Sequence, residues 1–297
     1  MRMSSTGLFL TASLIWGSTW LAITYQLATV SPQVSVAYRF ALASLLLFAY
    51  CRVTRKSLRF PLREHAMLAA FGATLFGLNY IGVYWAERYV ASGLVAVVFS
   101  MIVFTNPIGA KIAFRDALPA RLLVAATLGV SGVALLFLPE LDAARHGGSA
   151  ALGVALAFGA TVIATAGNLI AVRNARAGMP TFPVTAWGMA YGALTAALVT
   201  ILSGAQWTFE ATAVYVWSLV YLAVFGSVVA FGAYLTLLKR VGAGPASFVG
   251  VATPVLALVL STLFEGYRWT WISVLGVVLA IAGNWLGLRA SPTPARD

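Results

Sequence analysis

Apolar runs long enough to cross a lipid bilayer follow one another along nearly the whole chain. A spanning helix takes about 20 predominantly apolar residues. Such runs fall at 6–27, 32–52, 65–86, 90–112, 119–138, 150–172, 183–203, 212–237, 244–264 and 271–289. In hydrocarbon every backbone N–H and C=O must pair internally, which leaves helices or a closed barrel. The runs are continuous and lack the roughly ten-residue alternation of barrel strands. The expected fold is therefore an all-α membrane protein of ten transmembrane helices. Composition agrees: 61% of residues are hydrophobic and 9% charged, against about 25% charged in a soluble domain.

The breaks between runs carry turn and charge chemistry: Ser31-Pro32, the stretch Arg52 to Arg63, Leu118-Pro119 and Gly178-Met179-Pro180. Turns are also expected at Glu87-Arg88 and Lys239-Arg240, since a helix running through either would be about twice the spanning length. The first run exceeds the roughly 7–15 apolar residues of a signal peptide and is expected to stay as a helix. Of the 19 Lys and Arg residues, fifteen fall on the side of the two termini. Three (Arg88, Arg145 and Arg268) fall on the other, and Arg39 lies within a span. Positive loops resist translocation, so both termini are expected in the cytoplasm. The net charge of +11 is thus spread over short loops facing anionic lipid heads, and membrane lipids rather than nucleic acid are the expected partners. The single Cys51 allows no intrachain disulfide and reads as a structural thiol.

The polar stretch Glu140–Ser149 divides the chain into 1–142 and 143–297, five spans in each. An odd number of spans per half inverts the second relative to the first, an arrangement that places a binding site near the midplane between the repeats. A shift of about 151 residues brings Glu87-Arg88 onto Leu238-Lys239 and Gly132 onto Gly283. Pro107 and Pro254 lie in the fourth and ninth spans. A proline inside a helix removes a hydrogen bond and kinks it, which serves either a gate or a static bend.

Groups for catalysis are scarce. His65 and His146 fall in loops, the acidic residues cluster at span ends or termini, and no metal-ligand spacing or phosphate-cradling glycine loop is present. An enzyme, a cofactor or a bound metal is not expected. Glu87 and Glu265 are expected at the external rim, solvated or as gate residues. Arg39 is the one charge deep in a span, either binding a substrate carboxylate or satisfying helix-end carbonyls. Trp16 and Trp20 share a face of the first helix, and Phe76, Tyr80 and Tyr84 a face of the third. Asn79 and Ser100 lie at mid-depth, as do Thr161, Thr165, Asn168, Phe231, Tyr234 and Phe248 in the second half. Aromatic walls with a few amides and hydroxyls suit a small zwitterion with an apolar side chain.

Several of these segments resemble a known family. Ile15-Trp16-Gly17-Ser18-Thr19-Trp20 resembles the opening signature of the drug/metabolite transporter superfamily, EamA type, and Tyr38-Arg39-Phe40 its second-span arginine pattern. Ala91-Ser92-Gly93-Leu94 and Ala243-Gly244-Pro245-Ala246 resemble the small-residue starts of the fourth and ninth spans, and Thr253-Pro254-Val255 the Thr-Pro-Val of the ninth. The resemblance implies two inverted five-helix repeats around a central cavity in a bacterial inner membrane. Within the superfamily the chain is most similar to aromatic amino acid exporters of the YddG kind. It implies secondary transport of an amino acid-like small molecule by alternating access, without a cofactor, in a monomer; a multidrug or general metabolite carrier is the alternative. Trp16, Trp20, Arg39, Asn79, Tyr80, Ser100, Thr161, Thr165 and Phe231 are the expected substrate-binding residues, with Pro107 and Pro254 as gating positions. Two features depart from the pattern. Val103 stands where the fourth span would carry a proline, which sets its bend at Pro107. Glu265-Gly266-Tyr267 displaces the acidic residue that follows the ninth span.

Overall fold

The computed structural model describes residues 3–115, 120–144, 149–241 and 249–290. Ten helical spans account for the described residues. In the first half these are α1 (Ser5–Thr24), α2 (Pro32–Val53), α3 (Leu62–Ala86), α4 (Ser92–Phe114) and α5 (Ala120–Ala144). In the second half α6 is Ala150–Arg176 and α7 Thr181–Leu202. The eighth span, α8, joins Ala213–Tyr221, Leu222–Val229 and Ala230–Val241. Last come α9 (Val249–Phe264) and α10 (Trp271–Ala290). Seven spans are long and apolar enough to cross a membrane, and α5, α9 and α10 contain the shorter apolar stretches Leu123–Leu136, Ala252–Phe264 and Trp271–Leu286.

Local chemistry explains the ends. The Ser4 hydroxyl accepts from the Gly7 N–H at 3.0 Å and caps α1. Pro32 takes the first position of α2, where its missing N–H costs nothing. Gly178 and Gly204, at φ +71° and +65°, adopt the left-handed turn that stops α6 and α7. The break at Glu87-Arg88 falls between α3 and α4 as expected. Lys239-Arg240 instead falls within the last turn of α8. Helix α5 also outlasts its apolar run and takes in residues 139–144. The expected Leu118-Pro119 turn, the Ala243–Ala246 start and Phe248 lie outside the described residues, as does His146.

Three spans are interrupted. Residues Ala73–Leu78 of α3 and Leu222–Val229 of α8 are π-helical, and the two segments start 149 and end 151 residues apart. Helix α4 breaks into Ser92–Phe99 and Ile102–Phe114. Its break falls at Ser100-Met101 rather than at Pro107. The Ser100 hydroxyl donates to the Val97 carbonyl at 2.6 Å, while the Met101 N–H turns to Val98 at 3.0 Å.

The packing has an approximate two-fold pattern. Helix α1 packs on α8 and α9, as α6 packs on α3 and α4; α2 pairs with α7, and α5 with α10. Lipid tails are as apolar as the helices, so close backbone approach and dispersion take over from the hydrophobic effect. Glycine permits that approach. A Cβ on Gly132 of α5 would strike the Ala280 backbone nitrogen of α10, and one on Gly283 would strike that of Gly129. One end of the bundle gathers the described cations Arg52, Lys56, Arg173 and Arg176 and is here called the basic end. There Arg173 pairs with Glu64 at 2.6 Å, joining α6 to α3. The opposite, charge-poor end carries Glu87, Ser92 and Glu265.

Candidate functional site

The interrupted helices surround a cavity of about 420 Å³. Helix α1 lines it with Trp16, Thr19, Trp20 and Ile23, and α3 with Leu75, Asn79, Tyr80 and Val83. From α4 come Ala96, Phe99, Ser100, Ile102, Val103, Asn106 and Pro107. The second half adds Asn168 of α6, Phe231 and Tyr234 of α8, and Val249, Gly250, Thr253 and Pro254 of α9. The cavity thus runs from mid-bundle toward the basic end, where α9 begins. None of these lining residues is charged.

Each wall is fixed by a second interaction. The Trp16 indole N–H donates to the Gly226 carbonyl of the π-helical segment of α8 at 3.1 Å. Its ring meets Phe231 and Tyr234 at centroid distances of 5.2 and 5.3 Å. Trp20 lies against Phe99 at 5.5 Å. Tyr80 is flanked by Phe40 at 4.8 Å and by the Arg39 guanidinium at 4.6 Å. Helices α1 and α8 belong to different halves, so the aromatic wall is shared between the repeats.

Asn79 is one of the polar residues lining the cavity. A π-helical turn disturbs the regular ladder and releases carbonyls. The Asn79 amide N–H donates to one of them, Leu75, at 3.0 Å. That bond leaves Asn79 Oδ1 buried and without a hydrogen-bond partner among the described residues. Ser100, by contrast, is satisfied: it accepts from Asn284 of α10 at 2.8 Å while donating to Val97. Deeper toward the basic end, the Asn168 amide donates to Asn106 Oδ1 at 3.3 Å across α6 and α4.

Trp16, Trp20, Asn79, Tyr80, Ser100, Phe231, Pro107 and Pro254 are brought together around this one cavity. Arg39, Thr161 and Thr165 are not. Thr161 is fully buried and donates to the Ala157 carbonyl, and Thr165 is spent on the Thr161 carbonyl and the Thr105 hydroxyl. Both bind the backbone of their own helix because a threonine hydroxyl reaches the carbonyl four residues back. Arg39 is 1% exposed and sits behind Tyr80, with its Nε donating to Ser227 at 3.4 Å. Its place is between α2 and the π-helical segment of α8. Asn106 also lines the cavity, as do Thr19 and Thr253 of the family-like segments; an amide next to Pro107 within an apolar run is the sequence signal for Asn106.

The carboxylates at the charge-poor end also differ from the rim-solvated expectation. Glu265, just past α9, accepts from the Ser92 N–H at 3.2 Å and from its hydroxyl at 2.5 Å. It thereby caps the start of α4 and ties the two helices together. Glu87 follows the last residue of α3 and is 8% exposed, with neither carboxylate oxygen partnered among the described residues. Burial pushes its carboxyl well above the ordinary carboxylate range, the nearby Glu265 adds to this, and Arg39 opposes it. Val83, which lines the cavity, lies one helical turn before it.

Comparison with known proteins gives a consistent set of similarities. The EamA-like transporter family matches residues 3–138 and 151–288. Protein PagO of Salmonella typhimurium is 25% identical over 99% of this chain and 95% of its own length. The uncharacterized transporter YoaV of Bacillus subtilis is 25% identical over 93% of this chain and 94% of its own. The uncharacterized inner membrane transporter YedA of Escherichia coli is 26% identical over 92% of this chain and 89% of its own. A solved crystal structure superposes with a TM-score of 0.66 at 20% identity over 98% of both chains, a likeness of fold.

Proposed function

Since this chain belongs to the EamA-like transporter family, and so carries metabolites or drugs across a membrane, we propose that it exports amino acids with large apolar or aromatic side chains by alternating access. The observation that carries the reading is an uncharged aromatic lining that includes Asn79, whose buried Oδ1 has no hydrogen-bond partner among the described residues. A volume of about 420 Å³ lies toward the small end of the roughly 300–1,000 Å³ typical of ligand sites, which favours a small solute. Trp16, Trp20, Tyr80, Phe99 and Phe231 offer ring faces to an apolar side chain. Asn79 Oδ1 accepts from the ammonium group. The interruption of α4 at Ser100-Met101 supplies peptide dipoles near the carboxylate, as broken helices do in other transporters. A lipophilic cation would find no counter-charge among the described lining residues.

The excess of positive charge in the loops of the basic end favours a cytoplasmic position for it, with the charge-poor end outside. In that orientation the Glu265–Ser92 tie shuts the outer end while the cavity faces inward. Rocking one repeat against the other exposes the same walls outside, with Pro107 and Pro254 in the moving walls.

The test is flux in proteoliposomes, with labelled phenylalanine against a labelled lipophilic cation. Phenylalanine flux is expected, and Asn79→Ala should weaken its apparent affinity by about ten- to a hundredfold. That is the worth of roughly 1.5–3 kcal/mol for a hydrogen bond to a charged group. Flux of the cation without phenylalanine would overturn the reading in favour of a multidrug carrier.

A further inference from the structure

The septum between the cavity and the charge-poor end holds an unusual concentration of polar groups whose bonding is incomplete. Glu87 has two unpartnered carboxylate oxygens, and Gln26 Nε2, Arg39 Nη1 and the Ser261 hydroxyl are likewise buried without a partner among the described residues. Gln26 is anchored by its other end, accepting from the Tyr84 hydroxyl at 2.9 Å, one turn before Glu87. Ser261 lies one turn before Glu265 on the stretch of α9 that presses on Gly93. These residues belong to four different segments: the end of α1, α2, α3 and α9. The Glu265–Ser92 tie and the contact of Ser261 with Gly93 hold α9 against the start of α4 beside them.

We propose that Glu87 is a proton-binding site linked to that tie: it holds a proton while the outer end is shut and releases it to external water when the end opens. A buried ionised carboxylate with no hydrogen-bond donor among the described residues is far costlier than the neutral acid. The shut form therefore requires the acid. Opening admits water to Glu87, removes the desolvation and separates it from Glu265, so the open form favours the carboxylate. The groups facing Glu87 make this a one-proton switch. Glu265 from α9 is already engaged by Ser92. Arg39 from α2 is held by Ser227 and the Tyr80 ring, and Tyr84 on α3 by Gln26. Arg88 turns away, donating to the Leu27 carbonyl and lying over the Trp85 ring.

A group that binds its proton more tightly in the shut form stabilises that form at low pH, and the advantage disappears as pH rises through its value there. Over that window each pH unit changes the shut-to-open ratio by up to about tenfold. External acid should thus hold the protein shut and external alkali should release it.

This inference rests on the alternating-access reading but not on the substrate. Its test needs no flux: spin labels at Ser149 and Arg268, both exposed at the charge-poor end, on a Cys51→Ala background in lipid nanodiscs. Distances are measured from about pH 5 to pH 9, spanning ordinary and raised carboxyl values. The expected result is a longer-distance population that grows with pH in the parent and stays absent at every pH in Glu87→Gln. Glu87→Asp keeps the carboxyl and should titrate with a displaced midpoint, which serves also if the glutamine variant does not fold. A parent that does not respond to pH overturns the proposal. So does a Glu87→Gln variant that titrates like the parent, or a Glu87→Asp variant with an unmoved midpoint. Absence of phenylalanine flux alongside a normal distance titration would reject the substrate and leave the proton site standing.

Discussion

The guanidinium of Arg39 is held against Tyr80 and Phe40 and donates to Ser227, so a charge that is costly in a span is used to brace the aromatic wall. Arg39→Lys keeps the charge but loses the planar fork. It should lower stability by about 1–2 kcal/mol, the scale of a desolvated cation–π contact, seen as a lower melting temperature in detergent. Direct binding of a substrate carboxylate would instead show as lost affinity at unchanged stability. The sequence alone identifies Trp16, Trp20, Asn79, Tyr80 and Phe231 as candidates because polar and aromatic groups stand out against an apolar run. Thr161 and Thr165 stand out equally, but a helix apolar on every side does not reveal which face meets a cavity. Glu87 was misplaced for another reason: a run of hydropathy gives depth along the helix and says nothing of what covers its end.

At the scale of the element, the π-helical turn at Ala73–Leu78 is what aims Asn79. Asn79→Leu keeps the helix and its π-helical turn but removes the amide, and flux should vanish while the protein still reaches the membrane in quantity. The tightly packed α5–α10 pair offers a different test. Gly132→Ala should cost about 1–3 kcal/mol by overpacking, because the new Cβ meets backbone rather than a movable side chain; thermal unfolding in detergent measures it. At the charge-poor end, Glu210 accepts from Thr29 and Thr212, and these bonds hold its carboxyl below the usual range. The tie between the α1–α2 connection and the start of α8 is therefore complete above the unperturbed carboxyl value and is lost as pH falls through the lowered one. Amide exchange over residues 26–31 should quicken in that acidic window, and Glu210→Gln should abolish the pH dependence. None of these features is visible as periodicity. A π-helical turn is one residue out of step in a segment where every side is apolar.

For the whole molecule, the Glu265–Ser92 tie lies at the charge-poor end and the cavity runs toward the basic end, an arrangement that fits the alternating access proposed above. Cysteines replacing Ser92 and Glu265, on the Cys51→Ala background, should cross-link on oxidation and stop flux until a reductant is added. Continued flux through the cross-linked protein would exclude movement at this tie. The count of ten spans and the five-plus-five division were legible, since length and charge are properties of the chain. The break in α4 was not, because Pro107 advertises a bend while a serine hydroxyl at Ser100 makes it. The two π-helical segments occupy equivalent places in the two halves, yet they have separate occupations. The one in α3 presents Asn79 to the cavity. The one in α8 is consumed by Trp16, Arg39 and Ser227. Substitutions around residues 73–79 should then change which cargo is accepted at little cost in stability, while substitutions around 222–229 should lower stability first.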